Sequence, residues 1–229
     1  MPHAPAADLS RLHVVVPIRA LADGKRRLSH VLREPQRASL VAGLLRGTLE
    51  IVAAWGGAAA VHVVSPDPAV MPIARRAGAR PLLQAGLGLN EGIAAARDVA
   101  LSQGATALLV VPGDLPLLEA PALDALADAA DAAIAAGAGR PVVVIAPADA
   151  RTGTNALLVS PPDAIEPGFG PGSLERHLRR AEAADAATQL VVDPALGFDL
   201  DTPDDLALLD PGRLAELLAL GAEPQPASP

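Results

Sequence analysis

Between Val14 and Leu28 the chain passes from a short apolar run, Val14 to Ile18, through a loop closing on Gly24-Lys25, into the start of a helical pattern. A run of that length without a polar break reads as a strand buried on both faces, with Pro17 confined to its end or edge. The unit recurs. Residues 60–64, 80–83, 107–111, 141–146, 154–160 and 189–193 read as further strands. Helical patterns lie between them over 35–54, up to about Ala77, over 91–103, about 120–136, and from Ser173 to about Ala184. A last helix, with Thr202 as N-cap and Pro203 at its first position, ends near Gly221. This alternation predicts an α/β chain: one three-layer α/β/α domain around a mainly parallel mixed sheet.

The domain is expected over 12–221, behind a loose leader (1–11) and ahead of a disordered Pro/Ala/Ser-rich tail (222–229). Apolar residues make up 51% of the 229, enough for a sizeable core. With two Phe, one Trp and no Tyr, that core must be packed from Val, Leu and Ala, and platforms for base stacking are scarce. The net charge of −8 also argues against nucleic acid and anionic membranes as partners. The absence of cysteine excludes disulfides, zinc-thiolate sites, Fe–S clusters and thiol nucleophiles. No signal-like start and no uninterrupted apolar span are evident, so a cytoplasmic chain without a membrane partner is the expectation.

In such sheets ligands sit beyond the carboxyl ends of strands, so the polar residues there are the candidates. Asp114 follows the most apolar run directly, with Gly113 before it to admit a ligand; it reads as a Mg²⁺ ligand or as a cap of the next helix. Asp199 and Asp201 form a second acidic pair, either sharing that metal or, for Asp201, serving a turn before Thr202-Pro203. Lys25 is the only lysine, a compact ammonium in a chain whose other strong bases are all arginine; it reads as a phosphate contact or as a surface residue. Gly170-Pro171-Gly172-Ser173 opens a helix and suits an anion, or is a loop capped by Ser173. Thr152-Gly153-Thr154-Asn155, preceded by Arg151, reads as an anion site or a plain turn. Gly86-Leu87-Gly88-Leu89-Asn90 reads as a base contact or as a helix start with Asn90 as N-cap. Walker A spacing fails at Arg19, Rossmann spacing fails at Gly92, and His13, His30, His62 and His177 show no metal spacing.

Taken in order, these stretches resemble the guanylyltransferases of coenzyme F420 biosynthesis, which act on 2-phospho-L-lactate or phosphoenolpyruvate. The likeness is carried by 16–21 with Lys25 and Arg27-Leu28, Leu89-Asn90, Gly113-Asp114-Leu115-Pro116, 153–157, Phe169 to Ser173 and Asp199 to Pro203, and covers roughly 12–210. Arg19 and Arg26 depart from it, standing where other members often have Lys and a small polar residue.

The resemblance implies a nucleotide-diphospho-sugar transferase-like fold, of the molybdenum-cofactor guanylyltransferase type, working with GTP and Mg²⁺. It implies nucleotide contacts at Pro17, Ile18, Ala20, Leu21, Lys25, Arg27, Leu89, Asn90 and Gly113, and Lys25 and Asp114 as catalytic residues. Asp114, Asp199 and Asp201 would hold the metal, and Thr154, Asn155, Gly170 and Ser173 the phosphorylated three-carbon acid. The product would pass to a downstream transferase of the F420 pathway. Transfer to a sugar phosphate or molybdopterin, and a non-catalytic nucleotide-binding role, remain alternatives, and the oligomeric state is open, a homodimer included.

Overall fold

A computed structural model describes residues 6–22, 24–86, 88–137, 139–149 and 152–222. Asp23, Leu87, Arg151, the first residues of the leader and the tail from 223 lie outside the described residues. The strands are β1 (Leu12–Pro17), β2 (Ala60–Ser65), β3 (Arg80–Leu83), β4 (Ala107–Val110), β5 (Val142–Pro147), β6 (Thr154–Ser160) and β7 (Ala187–Leu190). The helices are α1 (Glu34–Trp55), α2 (Val70–Arg76), α3 (Leu89–Ser102), α4 (Ala120–Ala136), α5 (Ser173–Ala183), α6 (Pro194–Gly197), α7 (Pro203–Leu208) and α8 (Pro211–Ala222).

The strands form one seven-stranded sheet in the order β3-β2-β1-β4-β6-β5-β7. All neighbours are parallel except β6, which runs antiparallel to both β4 and β5. Period-2 alternation divides the strand side chains between two faces. Val14, Val16, Leu109 and Leu158 face one layer, with Leu45 and Leu49 of α1 and Leu123 and Leu126 of α4. Val15, Leu108 and Val110 face the other, against Ile93, Ala96 and Ala100 of α3. Val143, Ile145, Leu157 and Val159 meet Ala181 of α5. The expected three layers are therefore present, built from aliphatic side chains.

Several expectations need correction. The leader is not loose from Ala7 onward: Ala7 is buried in the core, the Asp8 N–H donates to Ser160 Oγ (2.8 Å), and Leu9 packs on the core. The single C-terminal helix is two, α7 and α8, because Pro211 restarts the helix after Leu209-Asp210. Leu89 and Asn90 begin α3 rather than lie in the loop before it, and the N-cap is Gly88, not Asn90. The last strand ends at Leu190, and α6 follows where no helix was expected. By length and mean hydropathy, α1 alone among the described helices would suffice to cross a membrane, contrary to the sequence expectation; half of that stretch is buried, and Leu40, Leu44 and Leu45 lie in the core.

α1 and α8 cross at two glycines. A methyl group on Gly43 would run into the Leu217 carbonyl, and one on Gly221 into the Ser39 carbonyl. Overpacking of this kind costs about 1–3 kcal/mol. Gly43→Ala is therefore expected to lower the thermal midpoint by several degrees, measured by circular dichroism.

At the opposite edge of the sheet from the loops discussed below, His13 and His62 stack, with His13 Nδ1 3.1 Å from His62 Nε2. Burial, then the His13 and Arg80 charges, push His62 from 6.5 down to about 4. A depressed histidine pKa stabilises the fold fully above the unfolded value and is lost as pH falls towards the folded one. The thermal midpoint of wild type should therefore fall relative to that of His62→Gln as pH drops from 6.5 towards 4; parallel pH profiles of the two would count against a buried neutral pair.

Candidate active site

The carboxyl ends of β1 and β4 lie side by side, and the chain leaves them in opposite directions across the sheet, which makes a topological switch point. Because β6 is antiparallel, its first residues share that edge: Val110 pairs with Leu157, so Thr154 and Asn155 stand just beyond the end of β4.

The loop after β1 is pinned by its backbone. The Ile18 N–H donates to the Val64 carbonyl (3.0 Å), the Gly24 N–H to Ala20 (3.0 Å), and the Leu21 N–H to Asp67 Oδ2 (2.9 Å). The chain then turns through Lys25 in the left-handed region (φ 52°, ψ 39°) into a 3₁₀ turn at Arg26–Leu28. A non-glycine residue there costs about 1–2 kcal/mol. The Lys25 ammonium offsets this by donating to Asp114 Oδ2 (2.6 Å) and Asp201 Oδ1 (2.9 Å). The Lys25 side chain is only 4% exposed, against 32% for Asp114 and 53% for Asp201. Burial alone would lower the Lys25 pKa; the two carboxylates outweigh it and raise it.

Asp199 sits behind this pair. Burial, and then the charges of Asp114 and Asp201, push its carboxyl up to about 7, while Lys25 and Asn155 pull the other way. Asn155 also donates from Nδ2 to the Leu196 (2.8 Å) and Gly197 (3.1 Å) carbonyls. That clamp brings the segment after β7 back across the sheet edge, carrying Asp199 and Asp201 with it. Thr202 then caps α7, its Oγ1 accepting from the Asp205 N–H (3.2 Å), while Asp205 Oδ2 accepts from the Asp201 (2.9 Å) and Thr202 (2.7 Å) N–H groups.

These groups surround a cleft of about 470 Å³. Of the residues singled out from the sequence, Pro17, Ile18, Lys25, Arg27, Leu89, Asp114, Thr154, Asn155, Gly170, Asp199 and Asp201 line it. Ala20, Leu21, Asn90, Gly113 and Ser173 are not among its lining residues. Asn90 clamps the backbone of Phe169, donating from Nδ2 to its carbonyl (3.1 Å) and accepting at Oδ1 from its N–H (2.7 Å). The face of Gly113 on which a Cβ would sit meets Leu45, Val16 and Ile18, so this glycine serves packing under β1 rather than admission of a ligand. Ser173 is buried, its Oγ accepting from the Thr154 N–H (2.8 Å), and it is not the cap of α5, which is Gly172. Asp114 caps no helix either, since α4 begins only at Ala120 behind Glu119. Sequence reasoning missed Asp67, which holds the first loop, and His177, which lies under Thr154. Neither carries a local signal, because each partner is distant in the chain or on another element.

Residues 12–210 match the family described as guanylyl transferase, CofC like. The chain belongs to this family. A phosphoenolpyruvate guanylyltransferase of Rubrobacter xylanophilus is 46% identical over 198 residues, covering 86% of this chain and 92% of the relative. One of Sphaerobacter thermophilus is 43% identical, covering 84% and 89%. A 3-phospho-D-glycerate guanylyltransferase of Colwellia psychrerythraea is 31% identical, covering 87% and 91%. Among solved structures, a Desulfovibrio desulfuricans G20 protein assigned to the nucleotide-diphospho-sugar transferases superposes with a TM-score of 0.70 at 19% identity, covering 92% of this chain and 96% of that one. The CofC-like resemblance read from the sequence and the fold it implied are thus borne out.

In this CofC-like cleft the donor set is hard oxygen, suited to Mg²⁺. Asp114, Asp199 and Asp201 converge on the one Lys25 ammonium, and burial, followed by the charges of Asp114 and Asp201, pushes the Asp199 carboxyl up. Among the described residues no three acidic, His or Cys side chains are already arranged as a metal cage. Lys25 holds the place between Asp114 and Asp201 instead. Removing it leaves those carboxylates unpaired, at a cost of about 2 kcal/mol for half-exposed partners. Lys25→Met is expected to unfold at lower temperature than the parent and to gain more stability from millimolar Mg²⁺, measured by calorimetry; equal Mg²⁺ shifts in both would count against competition between Lys25 and a cation.

Proposed function

We propose that the protein transfers GMP from GTP to a phosphorylated three-carbon acid, phosphoenolpyruvate first among them, with release of pyrophosphate. The observation that carries this reading is the convergence of Lys25, Asp114 and Asp201 at the switch-point cleft of a CofC-like guanylyl transferase chain. Phosphoenolpyruvate is preferred because relatives at 46% and 43% identity carry that name, against 31% for the phosphoglycerate relative.

A phosphate oxygen of the acid forms a bond to the α-phosphorus of GTP, and the bond from that phosphorus to the β-phosphate bridging oxygen breaks, so pyrophosphate carries away the electron pair. The nucleophile is already anionic at neutral pH, and no base is required. That suits a cleft lined by carboxylates and cations with no histidine among its described lining residues. Catalysis is then positioning and charge neutralisation. The loop with Arg19, Lys25, Arg26 and Arg27 lies along the triphosphate. The wall of the cleft formed by Pro17, Ile18 and Leu89 lies along the base. Thr154 and Gly170, on the far wall, take the acid. Asp114 and Asp201 would hold Mg²⁺ with Asp199 beside them, and the ion would there neutralise phosphate charge. Lys25, released from one carboxylate, offsets charge on the departing pyrophosphate.

Pyrophosphate release by purified protein with GTP and Mg²⁺ tests this, with phosphoenolpyruvate, 2-phospho-L-lactate and 3-phosphoglycerate added separately. Release that requires both GTP and one acid is expected, strongest with phosphoenolpyruvate. Asp114→Asn should lower turnover by about 10²–10³-fold, the scale of losing one electrostatic contact to the transition state, with an unchanged circular dichroism spectrum. Release from GTP alone, or from none of the acids, would overturn the proposal.

A further inference from the structure

His177 lies on α5, one turn after Ser173, and is wholly buried. Its Nε2 accepts a hydrogen bond from the Gly168 backbone N–H at 2.9 Å. A backbone amide can only donate, so Nε2 carries no proton, and the ring's hydrogen is on Nδ1. Nδ1 lies 3.0 Å from Thr154 Oγ1. The ring therefore donates to the hydroxyl, and the hydroxyl's own hydrogen must point away from the ring. Burial, then the charges of Arg180 and Arg176, push the His177 pKa down to about 4, which keeps the ring neutral and this direction of donation fixed at working pH.

Thr154 has little freedom to do otherwise. Its β-branched side chain has few rotamers, and its N–H is taken by Ser173 Oγ. Among the described residues no acceptor takes its hydroxyl hydrogen, and the residue lines the cleft beside Gly170. The same imidazole holds Gly168, where the loop carrying Gly170 begins, and Phe169 packs edge-on against it at 5.2 Å. Arg176 and Asn90 hold the rest of that loop, at the Gly168 and Pro171 carbonyls and the Phe169 backbone. One ring thus sets both walls of this end of the cleft.

We propose that His177 is a positioning residue which turns the Thr154 hydroxyl into an obligate donor facing the cleft, so that this wall selects an oxyanion of the phosphorylated acid. The proposal rests on the guanylyl-transfer reading. Its effect should fall on the acid and not on GTP, whose loop is on the opposite wall.

The test is steady-state kinetics on the full chain with GTP, Mg²⁺ and phosphoenolpyruvate. His177→Gln can satisfy Gly168 but no longer directs the hydroxyl, and His177→Asn can donate to Thr154 but no longer reaches Gly168. A directed hydrogen bond to a charged group is worth about tenfold or more in affinity. His177→Gln is expected to raise KM for the acid at least tenfold with KM for GTP unchanged within twofold, and His177→Asn to recover part of the loss. Thr154→Val should show the same loss, and adding His177→Gln to it should cost little more, because both act through one hydrogen bond. ¹⁵N-labelled wild type should show the Nδ1-protonated tautomer of the His177 ring at pH 7.

An Nε2-protonated ring, equal KM shifts for acid and GTP, or additive losses in the double variant would overturn the role of His177 and leave the reaction standing. Wild type that turns over no phosphorylated acid would overturn the reaction and this role together, so the two failures are told apart by wild type alone.

Discussion

The ammonium of Lys25, held between Asp114 and Asp201, is the contact on which the arrangement of this cleft depends. It joins three pieces of chain that are far apart in sequence: the loop after β1, the end of β4, and the segment following β7. Each piece alone would present an uncompensated charge at a partly buried edge, which is costly. Together, the ammonium offsets part of the charge of the two carboxylates, while Asp199 beside them has its carboxyl pushed up by burial first and by their charges second. The left-handed backbone of Lys25 is part of the same arrangement, since the strain of that conformation persists only where surrounding contacts enforce it.

The direction of β6 is the second determinant. In an all-parallel sheet the start of this strand would fall on the edge away from the cleft. Reversal places Thr154 and Asn155 opposite Lys25, and each then acts through a neighbour. Asn155 clamps the backbone at Leu196 and Gly197 and so delivers the acidic pair. Thr154 rests on Ser173 and His177 and so fixes the opening of α5. The cleft is bounded by two loops, one held by Asp67 and the other by Asn90, Arg176 and His177, and most of the polar groups that shape it are turned towards protein partners.

Much of this was legible in the chain itself. Strand and helix alternation followed from runs such as Val14 to Ile18 and Ala107 to Val111, because burial on both faces leaves no room for polar breaks. Asp114, Lys25 and Asp201 stood out as charged groups just past such runs. The uniqueness of Lys25 drew attention to the position, though its partners could not be read from it. Asn90 and Ser173 were also visible as polar residues at helix openings, but as direct ligand contacts; their backbone partners, Phe169 and Thr154, lie on other elements.

The sequence by itself determined the fold class and the family, because hydrophobic periodicity and the order of short motifs are local properties. Only the tertiary structure decided the antiparallel course of β6, the pairing of one ammonium with two carboxylates, and the place of His177. These depend on contacts between residues tens to more than a hundred positions apart, such as Lys25 with Asp201. Such contacts are set by how elements pack, and a propensity or a spacing within one segment carries no trace of them.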